Sequence, residues 1–309
     1  MNFNETAQGL EIESSYQENI RNHSNNLKFS VKVPRAFNVT LQTSGGELNL
    51  SNLQGTLDGR TSGGNIKLNQ LSGNMQMRTS GGNLSLSNLQ GEGAFNTSGG
   101  NISVDGLDGK FEVRTSGGNI SVNGSKLEGN VRTSGGNISF NEASVVGSVA
   151  TSGGNIKIDN APQGIQASTS GGNIMVAEAQ DFVDVNTSGG NISLNQVNGW
   201  IQAKTSGGNI HAVVVGDPKS GKKDVELISS GGDITLNVPA NMDMTLDLQT
   251  SYNQRYARNK PEIKSDFDID VREETQGNQI KVYAQGTVGS GTHRVVIKTS
   301  GGNIYLKKN

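Results

Sequence analysis

The chain has 309 residues, with 43 Gly, no Cys, and 26 basic against 28 acidic side chains for a formal net charge of −2. The missing cysteine excludes disulfides, zinc–thiolate sites and Cys nucleophiles, and the charge balance gives no pull towards nucleic acid or an anionic membrane. No apolar run reaches the ~18 residues of a membrane-spanning helix.

Residues 1–27 are polar and read as an N-terminal segment or cap. Their start, MNFNETAQGLEIES, lacks the basic and apolar stretches of a secretory leader, so export with the leader removed and a cytoplasmic location both stay open. A solenoid domain is expected over 28–309. LKFSVKVPRAFNVTLQ, 27–42, opens it as strand, Val-Pro turn, strand.

From Thr43 the phrase TSGGNI and its near-copies dominate the chain. It opens at Thr43, Thr61, Thr79, Thr97, Thr115, Thr133, Thr151, Thr169, Thr187 and Thr205, every step being 18 residues. Two further copies open at Ser229 and Thr299. The twelve Gly-Gly pairs hold 24 of the 43 glycines, so glycine is periodic punctuation here.

Within the unit 61–78, TSGGNIKLNQLSGNMQMR, apolar residues fall at places six, eight, eleven, fifteen and seventeen: Ile66, Leu68, Leu71, Met75 and Met77. Alternation at places six and eight, and again at fifteen and seventeen, is the period of β-strand. The Gly pair and a frequent glycine at place thirteen mark two reversals. The predicted fold is therefore all-β: a single-stranded parallel β-solenoid with 18-residue coils, two short strands per coil and right-handed crossovers. Ten coils at about 4.8 Å each make a rod roughly 50 Å long. A left-handed hexapeptide helix needs aliphatics at places twelve and eighteen, which are mostly polar here. A calcium β-roll needs Asp two residues after its last glycine, where Ile66, Ile102 and Ile120 stand.

The phrase itself reads as a corner. The glycines are expected to supply positive φ and close approach of adjacent coils. The Thr points inward to bond the backbone, and the Asn at place five stacks into a hydrogen-bonded ladder. Regular coils run over 43–222, a capping excursion over 233–298 and a final repeat over 299–309. ITLNVPANMDMTLDLQTS, 234–251, again reads strand, Val-Pro turn, strand.

Two rows depart from this pattern. The last place of the coil carries Arg60, Arg78, Arg114, Arg132 and Lys204, with Asp58, Glu112 and Asp184 two places earlier as expected neutralising partners. Phe182 and Trp200 occupy place fourteen in successive coils, stacking as candidate surface ligand contacts for sugar rings or a partner protein. The segments 211–228 and 252–298 are candidates to cover them. His23, His211 and His293 are scattered and read as surface residues, and Asp266, Asp268 and Asp270 read as the wet face of a strand. No G-x-S-x-G or P-loop occurs, and the glycine pairs lie among strands, away from any helix start. No cofactor, metal site or nucleic-acid partner is expected.

KFSVKVPRAFNVTLQTSGGELNLSNLQG, VPANMDMTLDLQTS and GSGTHRVVIKTSGGNIYL together resemble a bacterial adhesin-like family of unknown function built from β-strand repeats. The resemblance covers about 28–309. It implies a β-solenoid of the cell envelope, exported to the periplasm, outer membrane or cell surface, with no catalytic residues to carry over. The expected function is thus a non-enzymatic structural or adhesive module, displaying a rigid face to a surface glycan or another envelope protein. A polysaccharide-binding or polysaccharide-cleaving solenoid and a self-assembling scaffold are the alternatives.

Overall fold

A computed structural model of the chain describes residues 2–6, 9–14, 27–255 and 260–309. Two compact units divide it, Met1–Pro34 and Arg35–Asn309. In the first, Asn2–Thr6 and Gly9–Glu13 pair as an antiparallel hairpin. Residues 27–34 are in no strand, so of the two strands expected around Val33–Pro34 only the second, Val39–Thr43, forms.

The second unit is the β-solenoid. Among the described residues it contains strand and no helix. Ile66–Arg78, Leu84–Asn96 and Ile102–Arg114 stack in parallel, residue opposite residue at a constant offset of one coil: Ile66 against Leu84, Leu84 against Ile102. The same register continues through Ile174–Thr187 and Ile192–Thr205. Most ladder positions thus place like on like, with Met75 opposite Gly93 and Gly93 opposite Phe111 as exceptions, which is why one 18-residue pattern specifies the stack.

The core lies where the alternation put it. Ile66, Leu68, Leu71, Met75 and Met77 are buried, and so are most of their counterparts along the stack, with Leu53 and Gly93 half-buried. Burying each such side chain contributes about 1.5–3 kcal/mol. The pattern shifts in the coils opened by Thr115 and Thr133, where place fifteen is Gly129 and Gly147 and the buried residue is Leu127 and Val145 at place thirteen. Phe111 fills the space between Gly93 and Gly129, its ring stacked on Phe95 with centroids 5.3 Å apart.

The second bend falls at place ten. Asn52, Gln70, Asn88, Gly106, Gly124 and Glu142 all have left-handed φ, between 48° and 75°. Gln70 drops out of the ladder while Asn69 and Leu71 stay paired. Pairing resumes at once, so the two expected short strands join into a bent 13-residue strand in coils such as Ile66–Arg78. The glycines at place thirteen, such as Gly73 at φ 117°, add a second kink.

The C-terminal end is built out of sequence order. After Val225–Ser229 and Ile234–Val238 the chain leaves the stack, and His293–Ser300 and Ile304–Lys308 return to lie directly on those two strands. The excursion strands Met244–Asn253 and Ile263–Ser265 then stack on the returned coil. Gln279–Val288 pairs antiparallel with Met244–Asn253, and Val271–Gln276 pairs with Gln279–Val288 as an exposed outer strand. Thr250 takes the corner role in this outermost layer, its hydroxyl donating to Gly302 O at 2.7 Å.

Candidate functional site

The repeated phrase is occupied by its own neighbours. From Thr61 to Thr205 each corner Thr is buried, and its hydroxyl donates to the carbonyl of the second glycine one coil back, as Thr133 Oγ1 does to Gly118 O at 2.8 Å. The same oxygen accepts the amide of its own coil's second glycine, Gly136 N at 3.3 Å. The Asn ladder runs from side chain to backbone: Asn119 Oδ1 accepts Asn137 N at 2.8 Å, and the link recurs coil after coil. A Cβ on the second glycine would overlap the carbonyl one coil back, whereas one on the first would meet Gly117 O at an ordinary 3.5 Å in the Thr133 coil. Close approach, rather than positive φ, therefore selects the second glycine of the pair. Among the phrase's glycines only Gly301 has left-handed φ. Those Thr hydroxyls and Asn carbonyl oxygens point into the stack, and no ligand is needed to satisfy them.

Phe182 and Trp200 do stack, with centroids 5.2 Å apart and 15° between the planes, and both are half-buried. The parallel ladder fixes this, setting Phe182 opposite Trp200. Their ring normals run from one residue to the other, so the outer faces lie at the two ends of the pair. Gly164 closes the Phe182 end: at φ 79° it leaves no room for a Cβ beside that ring. At the other end Lys222 Nζ lies 5.8 Å from the Trp200 centroid. The pair therefore offers ring edges outward, a geometry for lateral apolar contact more than for stacking a sugar.

Lys222 comes from the insertion between Ile210–Val214 and Val225–Ser229, and sequence reasoning missed what anchors it. Lys223 is buried at 1% exposure and its ammonium donates to Asn198 Oδ1. Its amide donates to His293 Nδ1 at 3.3 Å, and His293 Nε2–H donates to the Pro218 carbonyl at 2.7 Å. His293, expected at the surface, is thus a buried brace holding the insertion to the returned coil. Burial pushes the Lys223 ammonium below its ordinary value, while Asp217 pulls it back up. Lys222 also pairs with Asp224 at 3.2 Å, and Asp224 accepts Arg294 N at 2.9 Å. His211 is exposed, and His23 lies outside the described residues.

The basic row differs from expectation. Lys204 pairs with Glu226 at 3.2 Å, but among the described residues Arg60, Arg78, Arg114 and Arg132 form no ion pair. Asp58 and Glu112 stand two residues from Arg60 and Arg114 along the strand and do not close onto them, while Asp184 has the neutral Asn186 at that place. The acidic stretch is not a continuous strand either: 266–270 is irregular, with Asp266 accepting Lys308 N and Asp270 paired to Arg272 at 2.7 Å.

These features define a class, a parallel β-solenoid repeat protein in which local chemistry sits on rows and departures from the repeat. The chain belongs to the Toastrack DUF4097 family, whose profile matches residues 6–183, more than half of its length. No curated protein and no solved structure matches it.

Proposed function

We propose that this protein is a non-enzymatic, adhesin-like structural module of the bacterial cell envelope, exported and displaying a rigid extended face to a surface glycan or another envelope protein. One observation supports this above the rest: the corner bonds repeat without interruption from coil to coil, so each outward row of side chains is held at a fixed spacing. A stiff surface with preset rows binds an extended partner without ordering itself first. Phe182 and Trp200, with Lys222 beside them, are the proposed local contact on that face.

The test uses the natural host with an epitope tag on the chain. Mild protease treatment of intact cells removes the tagged protein if it is displayed; full protection there, together with recovery in the cytosolic fraction, contradicts display. Trp200→Ala then lowers attachment of purified protein to cell-envelope fragments. Unchanged attachment removes the aromatic contact from the account.

A further inference from the structure

The last place of the coil carries arginine in four of the first five coils, interrupted by Asn96. Arg60 stacks in register with Arg78, and Arg114 with Arg132. Stacked like charges are destabilising at ladder positions. The fold does not require them, because the same place holds Asn96, Ala150, Ser168 and Asn186 in other coils. All four guanidiniums are exposed and none has an ion-pair or hydrogen-bond partner among the described residues. The row spans four coil steps, about 19 Å, on a backbone fixed by the corner bonds.

Its surroundings are asymmetric. Asp58 and Glu112 lie on the strand side, and the exposed corner serines Ser62, Ser80, Ser98 and Ser116 on the other. Beyond Arg132 the line continues into a shallow depression of about 200 Å3, lined among others by Arg132, the neutral polar residues Ser148, Gln166, Ser168 and Asn186, and one acid, Asp184. We infer that this row is a track for a linear acidic polysaccharide, a chain of uronate sugars, with carboxylates on the guanidiniums and sugar hydroxyls on the serines. Guanidinium is the side chain that grips a carboxylate with two parallel hydrogen bonds. A pyranose unit advances by about one coil step and successive units rotate about the chain axis, so carboxylates on one face recur about every two or three units, on the scale of the three coils from Arg60 to Arg114 and from Arg78 to Arg132. The flanking acids repel a wide polyanion such as duplex DNA and confine a thin chain to the serine side. The assignment rests on the display reading and names the ligand class for that face.

The purified chain is run in native gels containing polygalacturonate, its neutral methyl ester, or duplex DNA. Retardation is expected with polygalacturonate alone, weakening as salt rises. Arg78→Gln with Arg114→Gln weakens it about tenfold or more and roughly halves its salt dependence. Lys204→Gln, whose partner is Glu226, leaves it unchanged. Circular dichroism and melting of the double variant match or exceed wild type, since removing stacked like charges costs the fold nothing. Absence of retardation by polygalacturonate, equal retardation by DNA, or an unaffected double variant each overturns the proposal. None of these outcomes bears on protease accessibility in intact cells, so failure of the track and failure of display are read separately.

Discussion

Replacing Gly136 by Ala, beside Gly135→Ala as its neighbour control, separates two explanations of the glycine pair. Neither residue has left-handed φ, so a methyl costs no backbone strain at either. At Gly136 the new Cβ overlaps Gly118 O; at Gly135 it meets Gly117 O at 3.5 Å. Relieving the overlap requires the two coils to part by about 1 Å at the corner. The bonds crossing that gap are Thr133 Oγ1 to Gly118 O at 2.8 Å, Asn137 N to Asn119 Oδ1 at 2.8 Å and Gly135 N to Ser116 O at 2.9 Å. Stretched by that amount they pass out of hydrogen-bond geometry. Two or three lost bonds at about 1 kcal/mol each, added to about 1–3 kcal/mol of overpacking, give a destabilisation of about 3–6 kcal/mol. Gly135→Ala should change stability by less than about 1 kcal/mol, helped by the reduced freedom of the unfolded chain. Urea unfolding followed by circular dichroism gives the global effect. A stacked array need not unfold in two states, so hydrogen exchange of amides in 115–150 locates the damage. If Gly136→Ala is no more destabilising than Gly135→Ala, close coil approach is not what the phrase encodes.

Two further outcomes follow from the corner and the brace. Thr133→Val keeps the shape but leaves Gly118 O and Gly136 N without their hydroxyl partner, and should cost about 2 kcal/mol or more, while Thr133→Ser costs less; the order of their urea midpoints checks it. Lys223→Met tests the buried ammonium through pH. Below its depressed folded value Lys223 is charged in both states and bears the full desolvation penalty, and above 10.5 it is neutral in both. Wild type should therefore gain stability relative to Lys223→Met as pH rises through that window, and a gap between them that stays constant from neutral pH to 10.5 refutes the assignment.

The coil was legible in the sequence because it is written ten times: the period gave the repeat length, and alternation at places six, eight, fifteen and seventeen gave the inward residues. The corner Thr was legible from parity alone. The bend at place ten was not, because Gln70 and Glu142 carry no turn signal and take left-handed φ only under the constraint of the stack. The shift of the core to Leu127 and Val145 was hidden because Gly129 and Gly147 look like ordinary turn glycines. Lys223 and His293 are 70 residues apart, and nothing local to either predicts that one braces the other. The return of Thr299 onto Ser229, inside the excursion, is equally non-local. Phe182 and Trp200 were placed together correctly, since pairing follows from the period, but the capping of their outer faces by Gly164 and Lys222 depends on a kink and an insertion outside the repeat.

The lack of native cysteine allows clean double labelling, and spin-label distances test the stacked-coil account most directly. Ser80 and Ser188 are exposed at the same corner place, six coils apart, and Ser62 and Ser206 eight apart. With Cys at each pair, electron–electron dipolar spectroscopy should give backbone separations of about 29 Å and about 38 Å, both narrow, the increment being two coil steps of about 4.8 Å. Distances that are broad, or that fail to grow by one strand spacing per 18 residues, would contradict the solenoid and every row placed upon it.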